Sequence, residues 1–229
     1  MMRWVAFDAV GTLLAPQPSV AEAYHQVGRA LGSQRSVEDV GRRFREFFSG
    51  SETACFAPER LGRTSEPEER ERWRWIVAHV LDDVADHETC FQRLWDHFAD
   101  PGCWRVFDDV PAALDELSAA GLRLAIASNF DARLHDLCDA HRTLRPIGKR
   151  LVSSEVGYRK PAAGFYDAVV AACQAPPEAI LMVGDDWACD VVAARQAGLS
   201  ALWLDRRQTA AHPDGLTTLH QLVEQLVSR

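Results

Sequence analysis

The sequence predicts an α/β fold: a Rossmann-like parallel sheet core with an inserted α-helical bundle, which we call the cap. From residue 106 onward, apolar strand patterns alternate with helical patterns, which is typical of a parallel sheet covered on both faces. Before that, one apolar strand at residues 4–7 is followed by four amphipathic helices with no strand between them. We therefore predict a core made of residues 1–15 and 105–229, and a cap made of residues 16–104.

The length and composition favour a folded protein that binds small molecules. The 229 residues are enough for one large domain or for a main domain with a smaller one, and 47% hydrophobic residues can form a substantial core. The formal charge of −8 leaves no basic stripe for a phosphate backbone, which argues against nucleic-acid binding. We expect a small-molecule partner, and the sequence makes no prediction about oligomeric state.

The cysteines and the hydropathy pattern favour a cytoplasmic protein. The six cysteines form no C-x-x-C pair, so we expect reduced thiols and no zinc site. No window approaches 18 consecutive apolar residues, and the N-terminus lacks the basic-then-apolar layout of a signal peptide. We therefore expect no association with a membrane.

Capping signals and apolar spacing place the helices of the predicted cap. Ser19 and Glu22 have the spacing of a capping box, and Gly32 is expected to end that first helix. Ser36 and Asp39 give a similar start signal for the second helix. The four apolar faces contain Val20, Tyr24, Val27 and Leu31, then Val40, Phe44, Phe47 and Phe48, then Trp73, Ile76, Val77, Val80, Leu81 and Val84, and finally Phe91, Leu94, Trp95 and Phe98.

The second half of the chain alternates between the two element types. The predicted strands are residues 122–128, 150–154, 179–185 and 201–205, and the predicted helices are residues 110–121, 131–141, 162–173, 188–197 and 215–228. Short apolar runs of this kind are expected for strands that are buried on both faces of a sheet. The first strand of the chain would join this sheet.

Polar residues follow three of the predicted strands and open one loop. They are Asp8, Ser128, Asn129, Asp185 and Asp186 at strand ends, and Lys160 before Pro161 in the loop. Each has a structural interpretation by itself, because such residues often cap helices and turns or lie at the surface. Ligands of open α/β sheets bind outside the carboxyl ends of the strands, so four such elements in order favour a functional site.

Carboxylates in this arrangement favour phosphoryl transfer. Asp8 could attack phosphorus as a nucleophile and give an acyl phosphate that water hydrolyses. Asp185 and Asp190, with Asp186 in reserve, could hold a hard cation through oxygen ligands, and Asp8 could supply a further ligand.

Cationic and amide groups near the same strand ends could bind the anionic oxygens of a phosphate. The candidates are the Ser128 hydroxyl, the charge of Lys160 and the backbone amides around Val10 and Gly11. A group of acids could not approach a phosphate without a cation and Lys160 to balance the charge.

Four motifs in this order resemble the haloacid dehalogenase-type hydrolase superfamily. They are "DAVGTLL", "ASNFD", "YRKP" and "MVGDDWACD", and the similarity spans nearly the whole chain, with the helical insertion matching the C1 cap of that family. Together the motifs are specific for the superfamily and say little about the substrate.

The resemblance implies a role for each matching residue. Asp8 is the nucleophile, Thr12 orients it, Ser128 binds the transferred group beside Asn129, Lys160 balances charge, and Asp185 and Asp190 hold Mg²⁺. A magnesium-dependent phosphatase acting on a small phosphorylated molecule is therefore the expected function.

Val10 departs from the pattern that the resemblance implies. Most phosphatases of the superfamily have a second aspartate at this position, which donates a proton to the leaving alcohol and then activates water. The Val10 carbonyl can still ligate the metal, but its side chain transfers no proton. Since general acid–base catalysis contributes about 10²–10⁴-fold, we expect slow hydrolysis of alkyl phosphates and less effect on aryl or acyl phosphates.

Two alternative functions stay open at this point. A dehalogenase is suggested by Tyr166, which resembles a tyrosine of those metal-free enzymes, although they lack the metal-binding acids kept here. A metal-binding or regulatory protein with weak catalysis is suggested by Val10. The tryptophans that such a protein could use for contacts, Trp73, Trp95 and Trp104, are expected to pack in the core.

Overall fold

A six-stranded parallel sheet forms the centre of a computed structural model, which describes residues 2–208 and 215–227. The strands are β1 (Trp4–Phe7), β2 (Leu14–Pro16), β3 (Trp104–Val106), β4 (Arg123–Ser128), β5 (Lys149–Val152), β6 (Ile180–Gly184), β7 (Ser200–Leu204) and β8 (Gly215–Leu216). The sheet has the order β5-β4-β1-β6-β7-β8, and every neighbouring pair is parallel. The predicted α/β class is confirmed.

Helices cover the sheet and fill the insertion. They are α1 (Val20–Ala30), α2 (Val37–Cys55), α3 (Glu66–Val80), α4 (His87–Ala99), α5 (Val110–Ala119), α6 (Arg133–Ala140), α7 (Ser153–Val156), α8 (Ala163–Cys173), α9 (Ala193–Gln196) and α10 (Leu219–Val227). A π-helical segment, Trp187–Val192, precedes α9. None of the helices in the described ranges combines the length and apolar character that a membrane crossing requires.

Side chains of the central strand β1 alternate between two apolar layers. Val5 and Phe7 pack with helices α5, α6 and α10 on one face. Trp4 and Ala6 pack with α8 and α9 on the other. Both layers exclude water from β1, which explains why its sequence is a continuous apolar run.

Helices α1 to α4 form a bundle with an apolar cluster of its own. The capping box is confirmed, because the Ser19 hydroxyl accepts the Glu22 N–H and the Glu22 carboxylate accepts the Ser19 N–H. The bundle joins the sheet through the antiparallel pair β2–β3. The predicted boundaries, at residues 15/16 and 104/105, fall within these two strands, and the division into core and cap stays a prediction.

A second backbone connection ties the bundle to the core. The Thr64 N–H donates to the Gly157 carbonyl at 3.2 Å, and the Arg159 N–H donates to the Gly62 carbonyl at 3.0 Å. Residues 62–64 of the bundle thus run antiparallel beside residues 157–159, directly before Lys160.

Two predicted elements in the second half differ from the structure. Residues 215–216 form strand β8 rather than the start of the last helix, because they pair with the end of β7, and the helix begins at Leu219. The end of that predicted helix, residue 228, lies outside the described residues. Ser153 and Ser154 begin the short helix α7 instead of ending a strand.

Candidate active site

Asp8, at the end of β1, accepts two hydrogen bonds on one carboxylate oxygen. The Ser128 hydroxyl donates to Oδ1 at 2.9 Å, and Lys160 Nζ donates to the same atom at 2.8 Å. Lys160 Nζ also donates to Asp190 Oδ1 at 2.5 Å and to the Ala127 carbonyl at 3.0 Å. These side chains come from β1, β4, the loop before α8 and the segment after β6, so the sheet edge brings four of the predicted residues together.

The charge of Lys160 is held by its two carboxylate partners. Burial alone would lower the pKa of this ammonium group, but Asp190 and Asp8 raise the pKa well above its usual value. Lys160 is therefore a permanent cation that balances part of the negative charge of the site.

Three carboxylates converge beside Lys160. Single oxygens of Asp8, Asp185 and Asp190 all lie within 4.8 Å of one another. Burial and the charges of Asp8 and Asp190 raise the pKa of Asp185 to about 7, and burial raises the pKa of Asp190 to about 6 although Lys160 opposes this. Carboxylate oxygens are the ligands that Mg²⁺ prefers, so this donor set fits a hard divalent cation.

Two glycines make room for these carboxylates. A Cβ atom on Gly11 would lie 2.2 Å from Asp185 Oδ2, and one on Gly184 would lie 2.1 Å from Asp190 Oδ2. Gly11 also has a φ angle of +85°, a left-handed conformation that favours glycine. The close approach of the acids therefore depends on the absence of side chains at both positions.

Asp186 takes a different part from its neighbour Asp185. Its carboxylate accepts the Cys189 N–H at 2.9 Å and caps the π-helical segment, while its own N–H donates to Asp190 Oδ2 at 3.0 Å. The structure therefore does not bring the Asp186 side chain into the carboxylate cluster. Its role as a helix cap is the structural interpretation given above for such strand-end residues.

The turn after β1 contains the Gly11 amide, which was expected to bind a phosphate oxygen, and the Thr12 hydroxyl, which was expected to orient Asp8. The Gly11 N–H donates to the Leu14 carbonyl at 2.8 Å and so closes the turn. The buried Thr12 hydroxyl has no hydrogen-bond partner among the described residues, so it does not orient Asp8 through a hydrogen bond here. The predicted Val10 carbonyl ligand stays a prediction.

Asn129 fixes the loop that carries Lys160. Its Oδ1 accepts the Lys160 N–H at 2.7 Å, and its Nδ2 donates to the Lys160 carbonyl at 2.8 Å. These paired bonds position the lysine backbone across 31 residues of sequence, which is how the predicted residue Asn129 enters the site.

The polar cleft over Asp8 has a volume of about 450 Å³, and its wall contains charged residues that were not predicted: Glu52, Glu69, Arg72, Asp131 and Arg159. Arg72 donates to Glu69 Oε2 at 3.2 Å and to the Ser51 hydroxyl at 2.9 Å, and Arg159 Nη1 lies 3.5 Å from Glu69 Oε1. The three-residue spacing of Glu69 and Arg72 on a helix was the available sequence signal.

An apolar cavity of about 280 Å³ adjoins the polar cleft, and Val10 lines both. Trp73, Trp95 and Trp104 pack on the apolar clusters as expected, and they also form part of the cavity wall. Where an aspartate would place a proton donor, this chain therefore has an apolar wall.

The parallel sheet, the helical insertion and the cluster of carboxylates with a lysine at the strand ends are together typical of a hydrolase with an α/β core. The family model for haloacid dehalogenase-like hydrolases matches residues 2–198. The chain belongs to this family, and the resemblance of its motifs is confirmed.

Similar proteins include both phosphatases and dehalogenases. The chain is 26% identical over 211 residues to haloacid dehalogenase-like hydrolase domain-containing protein 3 of Danio rerio, covering 90% of this chain and 86% of that protein. Its fold is similar to a HAD phosphatase from Thermococcus onnurineus (TM-score 0.67, 20% identity, 99% and 98% coverage). It is also similar to the L-2-haloacid dehalogenase from Xanthobacter autotrophicus (TM-score 0.72, 20% identity, 98% coverage of both chains). These structures share the fold, and the fold does not separate the two reactions.

Proposed function

We propose that this hydrolase is a magnesium-dependent small-molecule phosphatase that forms an aspartyl phosphate on Asp8. The observation that carries the proposal is the cluster of Asp8, Asp185 and Asp190, which gathers three carboxylates around one buried lysine. Without a cation, this cluster would be a costly group of like charges. Bound Mg²⁺ would neutralise these acids and the negative charge of the transferred phosphoryl group.

The contacts of Asp8 suit a nucleophile. Ser128 and Lys160 both donate to Oδ1, while Oδ2 accepts no hydrogen bond from the described residues. Oδ2 would attack phosphorus, the bond from phosphorus to the alcohol oxygen would break, and water would then attack the phosphorus of the acyl phosphate to release inorganic phosphate. Ser128 and Lys160 would hold the carboxylate in one orientation throughout.

Val10 determines which esters this site hydrolyses fastest. No carboxyl group at this position protonates the departing oxygen, so an alkoxide must leave unaided or take its proton from water. Aryl and acyl phosphates release more stable anions, and we therefore expect the site to prefer them.

The surroundings of Tyr166 do not support dehalogenation. The residue is buried, its hydroxyl donates to the Cys189 carbonyl, and it lines neither the polar cleft nor the apolar cavity. A metal-binding protein with little catalysis is the second candidate, and Val10 is the observation that favours it.

The six cysteines are all free, which supports the cytoplasm as the proposed location.

Hydrolysis of p-nitrophenyl phosphate and of a panel of alkyl and sugar phosphates tests the proposal. We expect turnover with Mg²⁺, loss of turnover with EDTA, and loss of turnover in Asp8→Asn. Magnesium binding without turnover on any phosphate would identify the second candidate, and chloride release from 2-chloropropionate would instead identify a dehalogenase.

A further inference from the structure

The apolar cavity lies between the bundle and the sheet core. Tyr24, Trp73 and Trp95 line it from the bundle, and Trp104 and Phe130 line it from the core. Apolar space that no side chain fills lowers the stability of a fold, since its walls lose packing contacts. A cavity of about 280 Å³ next to a reactive carboxylate is therefore best explained by a ligand that fills it.

The cavity directly adjoins the polar cleft over Asp8. Val10, Phe48, Trp73, Asn129 and Phe130 line both spaces. A molecule whose phosphate lies at Asp8 can therefore extend its other end past Val10 into the apolar cavity.

The charge of the cavity wall is already neutralised. Among the described lining residues, the charged one is Arg133, whose guanidinium donates to both oxygens of Asp131, each at 2.7 Å. The Arg133 guanidinium carbon also lies 3.5 Å from the centre of a Trp95 ring. With this cation paired and stacked, the cavity offers no attraction for a second anionic group and suits an uncharged body.

We propose that this cavity holds the alcohol portion of the substrate, and that the natural substrates are phosphate esters of uncharged aromatic alcohols with one or two rings. The inference rests on the proposed phosphatase function. An apolar cavity of about 150 Å³ in another protein accommodates benzene, so a volume of about 280 Å³ is enough for a two-ring body. Where the ester oxygen is attached directly to the ring, as in phenols and naphthols, the alcohol is also a good leaving group, which makes the proton donor missing at Val10 unnecessary.

Calorimetric titration of the Asp8→Asn protein in the presence of Mg²⁺ tests the inference without turnover. The probes are 1-naphthyl phosphate, phenyl phosphate and glucose 6-phosphate. Each buried methylene-sized group is worth about fourfold in affinity, so 1-naphthyl phosphate should bind at least about tenfold more tightly than phenyl phosphate. Glucose 6-phosphate should bind most weakly, and equal affinities for the three esters would overturn the inference.

A matched pair of substitutions in α1 locates the binding. Val20 lines the cavity, whereas Val27 lies two turns further along the same helix, packs on the bundle cluster and does not line the cavity. Val20→Phe in the Asp8→Asn background should remove the preference for 1-naphthyl phosphate, and Val27→Phe should keep it. Loss of the preference in both variants, or in neither, would contradict the assignment to this cavity.

The two proposals fail in distinguishable ways. Turnover of p-nitrophenyl phosphate by the unmodified protein reports on the phosphatase function. If that turnover is absent while the order of affinities holds, the cavity still selects uncharged aromatic groups and the reaction assignment alone is wrong. If turnover is present and the order is absent, the inference about the cavity is wrong.

Discussion

Lys160 shows how one buried residue organises groups from distant parts of the chain. Its ammonium group contacts Asp8 from the first strand and Asp190 from the segment after β6, and its backbone is held by Asn129. The contact between Lys160 and Asp8 was predictable because both stand in recognisable motifs, Asp8 at a strand end and Lys160 in the loop before a helix. The contact with Asn129 was not, because it joins a side chain to a backbone 31 residues away and leaves no pattern in the sequence.

Replacing Val10 by aspartate tests the missing proton donor. Val10→Asp should raise turnover of alkyl phosphates by about tenfold or more, since general acid catalysis contributes about 10²–10⁴-fold when the group is well placed. Turnover of p-nitrophenyl phosphate should change less, because its leaving group needs no proton. Steady-state rates on both substrates measure the difference.

Val10→Asn is the control for this change. It has nearly the same size and polarity as the aspartate variant but no carboxyl group to donate a proton. Equal rates for Val10→Asp and Val10→Asn on alkyl phosphates would show that proton transfer at this position is not the limiting factor.

The neighbouring residues Asp185 and Asp186 offer a matched test of the metal site. Asp185 belongs to the carboxylate cluster, and Asp186 caps the following segment. If the proposed metal site is correct, Asp185→Asn should weaken Mg²⁺ binding at least about tenfold, because a neutral amide replaces a charged carboxylate, whereas Asp186→Asn should weaken it less. Calorimetric titration with Mg²⁺ measures both, and a larger loss in Asp186→Asn would contradict the assignment.

At the scale of the helices and strands, local signals were readable and pairing between distant residues was not. The first helix of the bundle begins at the predicted capping box and ends before Gly32, because both signals act within one turn. Strands β2, β3 and β8 contain only two or three residues each and exist because distant segments pair. Their sequences contain too few residues to show a period.

Helix α3 contains a buried charge whose loss should be costly. Glu69 balances Arg72 and Arg159, and although burial opposes it, these two cations lower the pKa of the Glu69 carboxyl. Glu69→Gln would leave both arginines buried without their counter-charge and should lower the free energy of unfolding by about 3 kcal/mol. Urea denaturation followed by circular dichroism measures the change.

Glu71 is the matched control on the same helix. Its side chain is exposed and pairs with Arg74, so Glu71→Gln should change the free energy of unfolding by less than about 1 kcal/mol. Similar decreases in the free energy of unfolding for Glu69→Gln and Glu71→Gln would show that the buried ion pairs of Glu69 stabilise the fold no more than an exposed pair does.

For the molecule as a whole, the parallel sheet and the meeting of the polar strand ends at one edge followed from the sequence, whereas the order of the strands within the sheet and the shape of the binding space did not. The order of strands and helices and the polar strand ends are enough to place Asp8, Ser128, Lys160 and Asp185 at one edge. The walls of the apolar cavity come from residues between positions 10 and 133 in both the bundle and the core. No local pattern records which of these side chains leave a space between them.

Asp109 connects the last helix to the rest of the molecule and should make stability depend on pH. It accepts bonds from Arg206 at 2.9 Å and from the Leu219 N–H at 2.8 Å. Burial opposes ionisation, but these donors lower the pKa of Asp109 below its usual value. A lowered folded-state pKa stabilises the protein above the unfolded pKa of about 3.9, and this stabilisation is lost as the pH falls further.

Urea midpoints measured between pH 6 and pH 3 test this linkage. The unmodified protein should lose more stability over this range than Asp109→Asn, which should already be less stable at pH 6 by about 1–3 kcal/mol. Parallel pH profiles for the two proteins would exclude Asp109 as a source of the acid sensitivity.

The backbone bonds between residues 62–64 and 157–159 limit how freely this fold can be recombined. A helical insertion joined to its host at β2 and β3 alone could be exchanged between relatives as a module. Here the transferred insertion would also have to fit the segment immediately before Lys160, to which it is joined by two backbone hydrogen bonds. A chimera that takes residues 16–104 from a relative should therefore keep its catalytic geometry only when the donor's counterpart of residues 157–159 is transferred with it.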